Sequence, residues 1–383
     1  MPEAIVAGHI SLDVYPALRG AMTFEPGRLV VVGPAALSTG GAVANVGIAL
    51  HRLGVDVGLV AKVGGDLFGR AVLEALGEPL AAGIALVSGE VTSYTIVLNP
   101  PEVDRCFLHC PGANETFSSR DVPYAEFAGA RVFHFGYPPL MPAMCADSGS
   151  ELRAMFARVQ SEAGAATALD MCGIDPDSEA GRVDWPELLA ATLPFVDVFA
   201  PSVGELAFMI DRSLHERLHA GAVPVDHAKL AELAATLTAL GVAVVAIKLG
   251  EKGLYLRTSG ELARIRAFCD RVGLADAGRW RDREVLSPCF APARVLGTTG
   301  CGDATIAGLL AALLRGEGPV QAATSATAVG ACSVEAVDPV SGVPRWEQVA
   351  RRVSGGWARL PTGIPPGPAA YECDPTGTIV TLR

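Results

Sequence analysis

Apolar residues along the chain form short runs that alternate with longer stretches of helical spacing. Short runs are typical of buried strands, and stretches with apolar positions three and four apart are typical of amphipathic helices. The predicted strands lie at residues 4–10, 55–63, 131–136, 165–171, 195–202 and 242–250. Helices are predicted at residues 43–53, 67–76, 151–164, 204–210 and 226–241. This alternation predicts an α/β fold with a mostly parallel sheet covered by helices on both faces.

Four segments depart from this alternation. Residues 14–37 are irregular but contain an apolar run, 28–32, that predicts a strand. Residues 92–98 and 105–110 resemble a pair of strands joined by a proline-containing turn. Residues 267–292 carry four arginines and little apolar periodicity, which predicts an inserted surface excursion. Residues 357–383 are rich in proline and glycine and are predicted to form an extended tail.

Composition narrows the class of protein. The chain has 383 residues, 50% of them hydrophobic, and a formal net charge of −11, so a large core is expected and nucleic-acid binding is not. No apolar run reaches the roughly 18 residues needed to span a bilayer, and the first residues lack the basic region of a secretory signal. The nine cysteines include no C-x-x-C pair, which argues against a zinc site or a disulfide framework and favours the cytoplasm.

The strongest chemical signal is the segment GTTGCGD at residues 297–303, which opens an apolar helix. Gly300 and Gly302 allow backbone N–H groups to approach an anion at the positive end of the helix dipole. Asp303 lies in the first turn and is therefore a candidate base beside a phosphate site. Alternatively, Asp303 is only a favourable acidic residue in a first turn, since short glycine motifs are weak evidence.

A second glycine-rich motif lies at residues 38–54. Gly40 and Gly41 precede a helix, and Asn45 follows about one turn later. Backbone and amide groups placed together in this way could bind several hydroxyls of a ligand. The alternative is a glycine-rich turn in which Asn45 is a satisfied polar residue.

Together these motifs resemble those of the ribokinase family, also called the PfkB carbohydrate kinases. The resemblance covers residues 4–350 with matching elements in the matching order. It implies a three-layer α/β/α sandwich at residues 1–356, with a small β lid from about 14–38 and 91–116, followed by a tail at 357–383. It also implies transfer of the γ-phosphoryl group of ATP to a hydroxyl of a small sugar-like substrate.

The resemblance implies a role for each matching residue. Asp303 would be the catalytic base, with Gly300, Cys301 and Gly302 as the anion hole. The implied substrate-binding residues are Asp13, Gly40, Gly41, Asn45 and Asn114. The implied nucleotide-binding residues are Lys248, Gly250, Gly253 and Thr299. Glu205 would hold hydrated Mg²⁺, and dimers would pair through the lid.

The chain departs from the family pattern at several positions. Ser202 stands where Asn is common, which puts contacts to phosphate or metal there in question. Gly297 stands where Asp is common near a potassium site, which weakens the expectation of K⁺ activation. Cys301 replaces a small residue in the anion hole, and its place at a helix N-terminus could acidify the thiol. Otherwise Cys301 is only a small residue that leaves room for phosphate.

The expected function is that of an ATP-dependent carbohydrate kinase. A nucleoside kinase on the same fold and a non-catalytic sugar or nucleotide sensor remain alternatives. A dinucleotide-dependent oxidoreductase is disfavoured, because the first strand is not followed by the glycine-rich turn that dinucleotides need. His134, near the end of a predicted strand, is a weaker candidate for the substrate pocket.

Overall fold

The computed structural model of the protein describes residues 1–20, 25–100, 106–221, 225–364 and 371–381. In the described part, strands β1 to β8 are Ala4–Gly8, Ser11–Pro16, Ala35–Gly40, Val57–Gly64, Ile84–Val87, Tyr94–Leu98, Cys106–Cys110 and Val132–Gly136. Strands β9 to β15 are Ala166–Asp170, Val198–Phe199, Val244–Lys248, Leu254–Thr258, Glu284–Ser287, Tyr371–Cys373 and Ile379–Thr381.

The α-helices of the described part lie between these strands. Helices α1 to α6 are Gly41–Arg52, Leu67–Leu76, Pro142–Arg158, Trp185–Thr192, Val203–Ile210 and Arg212–His219. Helices α7 to α12 are His227–Ala239, Leu262–Val272, Ala277–Trp280, Cys301–Leu314, Pro319–Ser333 and Trp346–Ser354. The backbone of α3 is non-helical at residues 146–149, where the helix is kinked.

The main sheet has eleven described strands in the order β14-β15-β13-β12-β11-β10-β9-β8-β1-β4-β5. The seven strands from β11 to β5 pair in parallel, and the strands from β12 to β14 extend the sheet in antiparallel fashion. A separate small sheet, defined here as β2, β3, β6 and β7, has the order β3-β2-β6-β7. The predicted mostly parallel α/β sheet is confirmed.

Successive residues of a strand point to opposite sides of the sheet, so each apolar strand presents side chains to both faces. Helices cover both of these faces. On β11, Val244 and Ala246 pack in one hydrophobic core, whereas Val245 and Ile247 pack in the other. The first core includes side chains of α1, α10 and α11, and the second includes side chains of α3, α4 and α7. The result is the three-layer sandwich that the sequence predicted.

The prediction of a surface excursion at residues 267–292 is wrong. Helix α8 buries Phe268, Cys269 and Val272 in the core, and β13 pairs with β12 in the main sheet. The arginines obscured this periodicity, because part of the charge on α8 is paired: Arg271 Nη1 lies 2.9 Å from the buried carboxylate of Asp197.

The predicted extended tail is also wrong for its described residues. Strands β14 and β15 form a hairpin that joins the main sheet, with Leu286 of β13 opposite Ile379. The side chain of Arg359 is engaged by a cluster of hydroxyl groups, donating to Thr327 and Thr378 at 3.1 and 2.9 Å. These contacts fix residues 371–381 against the main sheet.

The strand predicted at residues 28–32 does not form. Leu29 and Val31 are 87% and 73% exposed, and no described strand pairs with this run. An apolar run becomes a strand only when another strand bonds with it, and no strand of the described ranges does so here.

Candidate active site

Several polar and ionisable side chains lie together at the carboxyl ends of the parallel strands, where open α/β sheets bind ligands. His9 follows β1, Tyr137 follows β8, Asp170 ends β9 and Lys248 ends β11. Helix α10 starts at Cys301 and brings Asp303 to the same edge. The parallel order of the strands therefore assembles residues that lie far apart in sequence.

Asp303 lies at the centre of this edge and is 1% exposed. Its Oδ2 accepts a hydrogen bond from Asn45 Nδ2 at 2.9 Å, and Tyr137 Oη donates to Oδ1 and Oδ2 at 2.9 and 2.8 Å. Burial raises the pKa of Asp303, while Lys248 and the two hydrogen-bond donors counter part of that rise. A raised pKa makes a carboxylate a better proton acceptor.

The turn before α10 gives Asp303 its surroundings. Gly300 caps the helix with a φ of 73°, and a Cβ at that position would lie 2.5 Å from Pro339 Cβ. A Cβ on Gly302 would lie 3.4 Å from Lys248 Nζ. Thr299 lies in the turn and, like Cys301, is partly exposed. Helix N–H groups and an ammonium group thus face the same point, which favours an anion.

Lys248 is tied to a carboxylate as well as to the helix start. Its Nζ lies 2.7 Å from Asp170 Oδ1. Burial opposes the charge on Lys248, but Asp170, Glu205 and Asp303 outweigh it and raise the pKa of the amine. The other oxygen of Asp170, Oδ2, is buried and has no hydrogen-bond partner among the described residues.

Glu205 is held by the residue that departs from the family pattern. Ser202 caps α5: its Oγ accepts from Glu205 N at 3.2 Å, and Glu205 Oε2 accepts from Ser202 N at 2.7 Å. Serine is a favourable residue for such a reciprocal cap. Ser202 therefore holds Glu205 in place through both hydrogen bonds of the cap.

Asp13 and the glycine pair lie beside this group of residues, on the small sheet and at the start of α1. Asp13 lies on β2 and accepts from Ser11 Oγ at 2.9 Å and from Tyr15 Oη at 3.3 Å. A Cβ on Gly40 would lie 2.3 Å from both Asp13 oxygens, and one on Gly41 would lie 2.4 Å from His9 Nδ1. Gly41 also has a φ of +84°. Both glycines are needed for the close approach of these polar groups.

Two predicted site residues have contacts other than those expected. Asn114 is fully buried, and its amide holds the backbone of Ile10, accepting from N at 3.3 Å and donating to O at 2.8 Å. This pairing gives Asn114 a structural role at the start of the small sheet. Asn45, predicted to bind substrate, donates to Asp303 instead.

The predicted nucleotide loop is a short 3-10 turn after β11. Gly250 and Gly253 have positive φ values, 62° and 105°, and a Cβ on Gly253 would lie 2.0 Å from Ser287 O. Gly297 is similarly confined, since its Cβ would lie 2.7 Å from Val337 O. That contact gives a local reason for glycine where the family pattern often has Asp.

The sequence analysis did not identify Tyr137 or Asp170, and it gave His134 only as a weaker candidate for the substrate pocket. Asp170 closes a fully buried strand, and the rule that ligands bind at strand carboxyl ends could have found it. Tyr137 has a left-handed φ of 68°, which nothing in the sequence indicates for a tyrosine. His134 is buried, and burial with some contribution from Lys248 lowers its pKa to about 3.

Two kinds of feature are absent from the described residues. No group of three or more His, Cys, Asp or Glu side chains there is arranged to hold a metal ion. In the same ranges, no helix combines the length and apolarity needed to cross a membrane.

Comparison with known proteins identifies the family. The model of the pfkB family carbohydrate kinases matches residues 1–346. Fructokinase-1 of Zea mays is 31% identical over 44% of this chain and 50% of its own length. The ATP-dependent ribose-1-phosphate kinase of Halopiger xanaduensis is 28% identical over 55% of this chain and 65% of its own length. These alignments thus span less than two thirds of either relative.

Solved structures extend the likeness to nearly the whole chain. Ribokinase of Arabidopsis thaliana, solved with ribose and ATP, superposes with a TM-score of 0.69 at 20% identity, covering 91% of this chain and 98% of its own. A putative ribokinase II of E. coli, solved with ATP and Mg²⁺, gives 0.66 at 21% identity, covering 93% and 100%. The ribokinase-like fold predicted from the sequence is confirmed, and the chain belongs to the pfkB family of carbohydrate kinases.

Proposed function

We propose that the protein transfers the γ-phosphoryl group of ATP to a hydroxyl of a small sugar-like acceptor, with Asp303 as the base. The observation that carries the proposal is the buried Asp303 carboxylate in the first turn of α10, beside Gly302 and the Lys248 ammonium. A base and an anion site in contact are what transfer to a hydroxyl requires. The ATP and Mg²⁺ bound by structural neighbours support the choice of donor.

In the proposed reaction, the oxygen of the acceptor hydroxyl forms a bond to the γ-phosphorus, and Asp303 takes the proton of that hydroxyl. The bond from that phosphorus to the bridging oxygen breaks, and ADP leaves. Asn45 and Tyr137 orient the carboxylate. Backbone N–H groups of the 300–302 turn and Lys248 would stabilise the negative charge on the phosphoryl oxygens. Gly250, Gly253 and Thr299 are proposed to line the nucleotide side.

The carboxylates around Lys248 fit a magnesium ion carried by the nucleotide. Asp170 has a buried oxygen without a partner among the described residues, and Glu205 is fixed nearby at the start of α5. Mg²⁺ commonly binds one or two carboxylates, waters and substrate phosphates, and when bound it would neutralise phosphate charge. A potassium site is not part of the proposal, because Gly297 supplies no carboxylate.

The small sheet is proposed to act as a lid. It carries Asp13 and His109 above the edge where Asp303 lies, so its closure would exclude water that competes as an acceptor. Exposed apolar side chains on and next to this sheet support a homodimer through it. Leu37 and Phe107 on the sheet are 61% and 55% exposed, and Leu29, in the irregular segment before β3, is 87% exposed.

The class of acceptor is open at this level. Relatives are named for a free sugar, fructose, and for a phosphorylated one, ribose 1-phosphate. A nucleoside would present the same kind of hydroxyl. A sensor without catalysis would need the same cleft but no base.

Replacement of Asp303 by Asn tests the proposal. Asp303→Asn keeps the shape of the side chain but cannot accept the proton, so kcat should fall by about 10²- to 10⁴-fold with ATP affinity near that of the wild type. Asp13→Asn, in the same cleft, is the matched control. It should lower the affinity for the acceptor and leave the affinity for ATP unchanged. A folded Asp303→Asn variant with kcat within about threefold of the wild type would contradict the role of base. Absence of ATP consumption with sugars, sugar acids, sugar phosphates and nucleosides would favour a sensor.

A further inference from the structure

Two histidine rings lie beside the proposed acceptor cleft with ring nitrogens that lack partners in the described part of the chain. His9 is 2% exposed, and neither Nδ1 nor Nε2 has a hydrogen bond. His109 on β7 has its Nδ1 3.0 Å from Thr95 Oγ1, but its Nε2 has no partner. A buried polar atom left unpaired costs about 1–3 kcal/mol. These three nitrogens lie close together and are closed to solvent, as expected of a site that a ligand enters when the small sheet opens and whose hydrogen bonds the ligand then completes.

The two rings are close to each other and to the base. Their centroids are 5.2 Å apart, and the ring of Tyr137, whose hydroxyl binds Asp303, is 6.1 Å from that of His9. The wall of the cleft therefore runs from Asp303 through Tyr137 to His9. His109 faces this wall from the small sheet.

We propose that His9 and His109 bind hydroxyl groups of the acceptor and select an uncharged polyol over a phosphorylated or carboxylated one, an inference that rests on the proposed kinase function. A neutral imidazole has one N–H donor and one lone pair. A hydroxyl matches this pair, because it both donates and accepts. A phosphate or carboxylate only accepts, and it binds best to charged donors.

The charges around the cleft also favour an uncharged acceptor. Burial, together with His109, lowers the pKa of His9 to about 3, and burial also lowers the pKa of His109, so His9 in particular is neutral at physiological pH. Asp13 and Asp303 would repel an anionic acceptor.

The two lysines that could offset this repulsion are already engaged. Lys62 Nζ lies 2.7 Å from Thr116 Oγ1 and 3.4 Å from Glu90 Oε1. Lys248 Nζ is paired with Asp170 and, in the proposed reaction, faces the phosphoryl group rather than the acceptor. Arg105, which comes just before β7 in the sequence, lies outside the described residues.

The test compares acceptors and histidine variants. Magnesium- and ATP-dependent ADP release is measured with fructose, ribose and adenosine, and with fructose 6-phosphate, ribose 5-phosphate and gluconate. The same acceptors are titrated calorimetrically into the Asp303→Asn variant, where binding needs no turnover. His9→Phe and His109→Phe remove the nitrogens, and His9→Gln restores a donor and an acceptor. His51→Phe, at an exposed position of α1, is the control.

The best uncharged acceptor should exceed every anionic one at least about tenfold in kcat/KM. His9→Phe should lower that kcat/KM by about 10- to 100-fold through KM, the equivalent of one or two hydrogen bonds, with the KM for ATP unchanged. His9→Gln should recover most of the lost kcat/KM. If His9 served only to pack the core, this recovery would not be expected.

Two results would overturn the inference: preference for an anionic acceptor, or a folded His9→Phe variant within twofold of the wild type, as expected if water satisfies the ring. Failure of the kinase proposal looks different. An uncharged acceptor would then bind in a His9-dependent way but support no ATP consumption, and the histidine site would remain as a binding site.

Discussion

Removing the hydroxyl of Tyr137 should shift the pH dependence of the reaction. Tyr137→Phe deletes a donor that lies 2.9 and 2.8 Å from the two oxygens of Asp303 and leaves the ring in place. The donor stabilises the charged carboxylate, so its loss should raise the pKa of Asp303. Only the deprotonated base can accept a proton, and the acidic limb of kcat/KM against pH should therefore move to higher pH.

The size of the shift follows from the geometry. A hydrogen bond to a charged group contributes about 1.5–3 kcal/mol, and one pKa unit corresponds to about 1.4 kcal/mol. Asp303 is 1% exposed, so solvent does not screen the interaction. Asn45 remains as a second donor. The acidic limb should therefore rise by about one to two units, with up to tenfold lower activity per unit on the acidic side.

The assay is a pH profile of kcat/KM at saturating ATP, with unfolding curves to show that the variant is folded. Tyr15→Phe is the matched control, because Tyr15 Oη donates to Asp13 at 3.3 Å on the acceptor side of the cleft. That variant should alter the KM for the acceptor without moving the limb. A Tyr137→Phe limb within about 0.3 units of the wild type would refute the assignment of Asp303 as the base that Tyr137 positions.

Two further predictions concern the thiol of the turn and the small sheet. Iodoacetamide near neutral pH should modify Cys301 and inactivate the enzyme, ATP with Mg²⁺ should protect it, and Cys301→Ala should remain active but insensitive. Burial raises the pKa of Cys289 to about 11, so that neighbour should react slowly; mass spectrometry that finds only distant cysteines modified would contradict the idea. Leu29→Glu with Leu37→Glu should convert a dimer into monomers by light scattering, whereas Val337→Glu, 76% exposed elsewhere, should not; a wild-type monomer would exclude the dimer.

Local patterns in the sequence were sufficient to predict the sheet and to single out the turn at residues 297–303 as a candidate site. Runs such as 242–250 have an apolar character that does not depend on distant residues, and the rule for parallel sheets then orders them. The turn at residues 297–303 likewise contains its own helix start, glycines and carboxylate. Asp303 could be singled out because its immediate neighbours define its environment.

Features that depend on distant partners could not be predicted in the same way. The hairpin of β14 and β15 exists because Ile379 pairs with Leu286, and no local pattern links those two residues. On α8, the burial of Phe268 and Val272 follows helical spacing and was present in the sequence. It was overlooked because the arginines suggested a solvated surface, whereas Arg271 pairs with the buried Asp197.

The two asparagines of the predicted substrate site show why a residue's type alone does not decide its role. Asn114 satisfies the backbone of Ile10, and Asn45 donates to Asp303, 258 positions away in the sequence. Each amide has the same donor and acceptor capacity, so only the partner that the fold brings distinguishes a residue that holds the backbone from one that contacts the proposed base. The same reasoning applies to Tyr137 in reverse. Its left-handed backbone is costly for a tyrosine, and the contact with Asp303 supplies a functional reason for that conformation. A side chain after a buried strand that adopts such a backbone is therefore best interpreted by the atom that its polar end reaches.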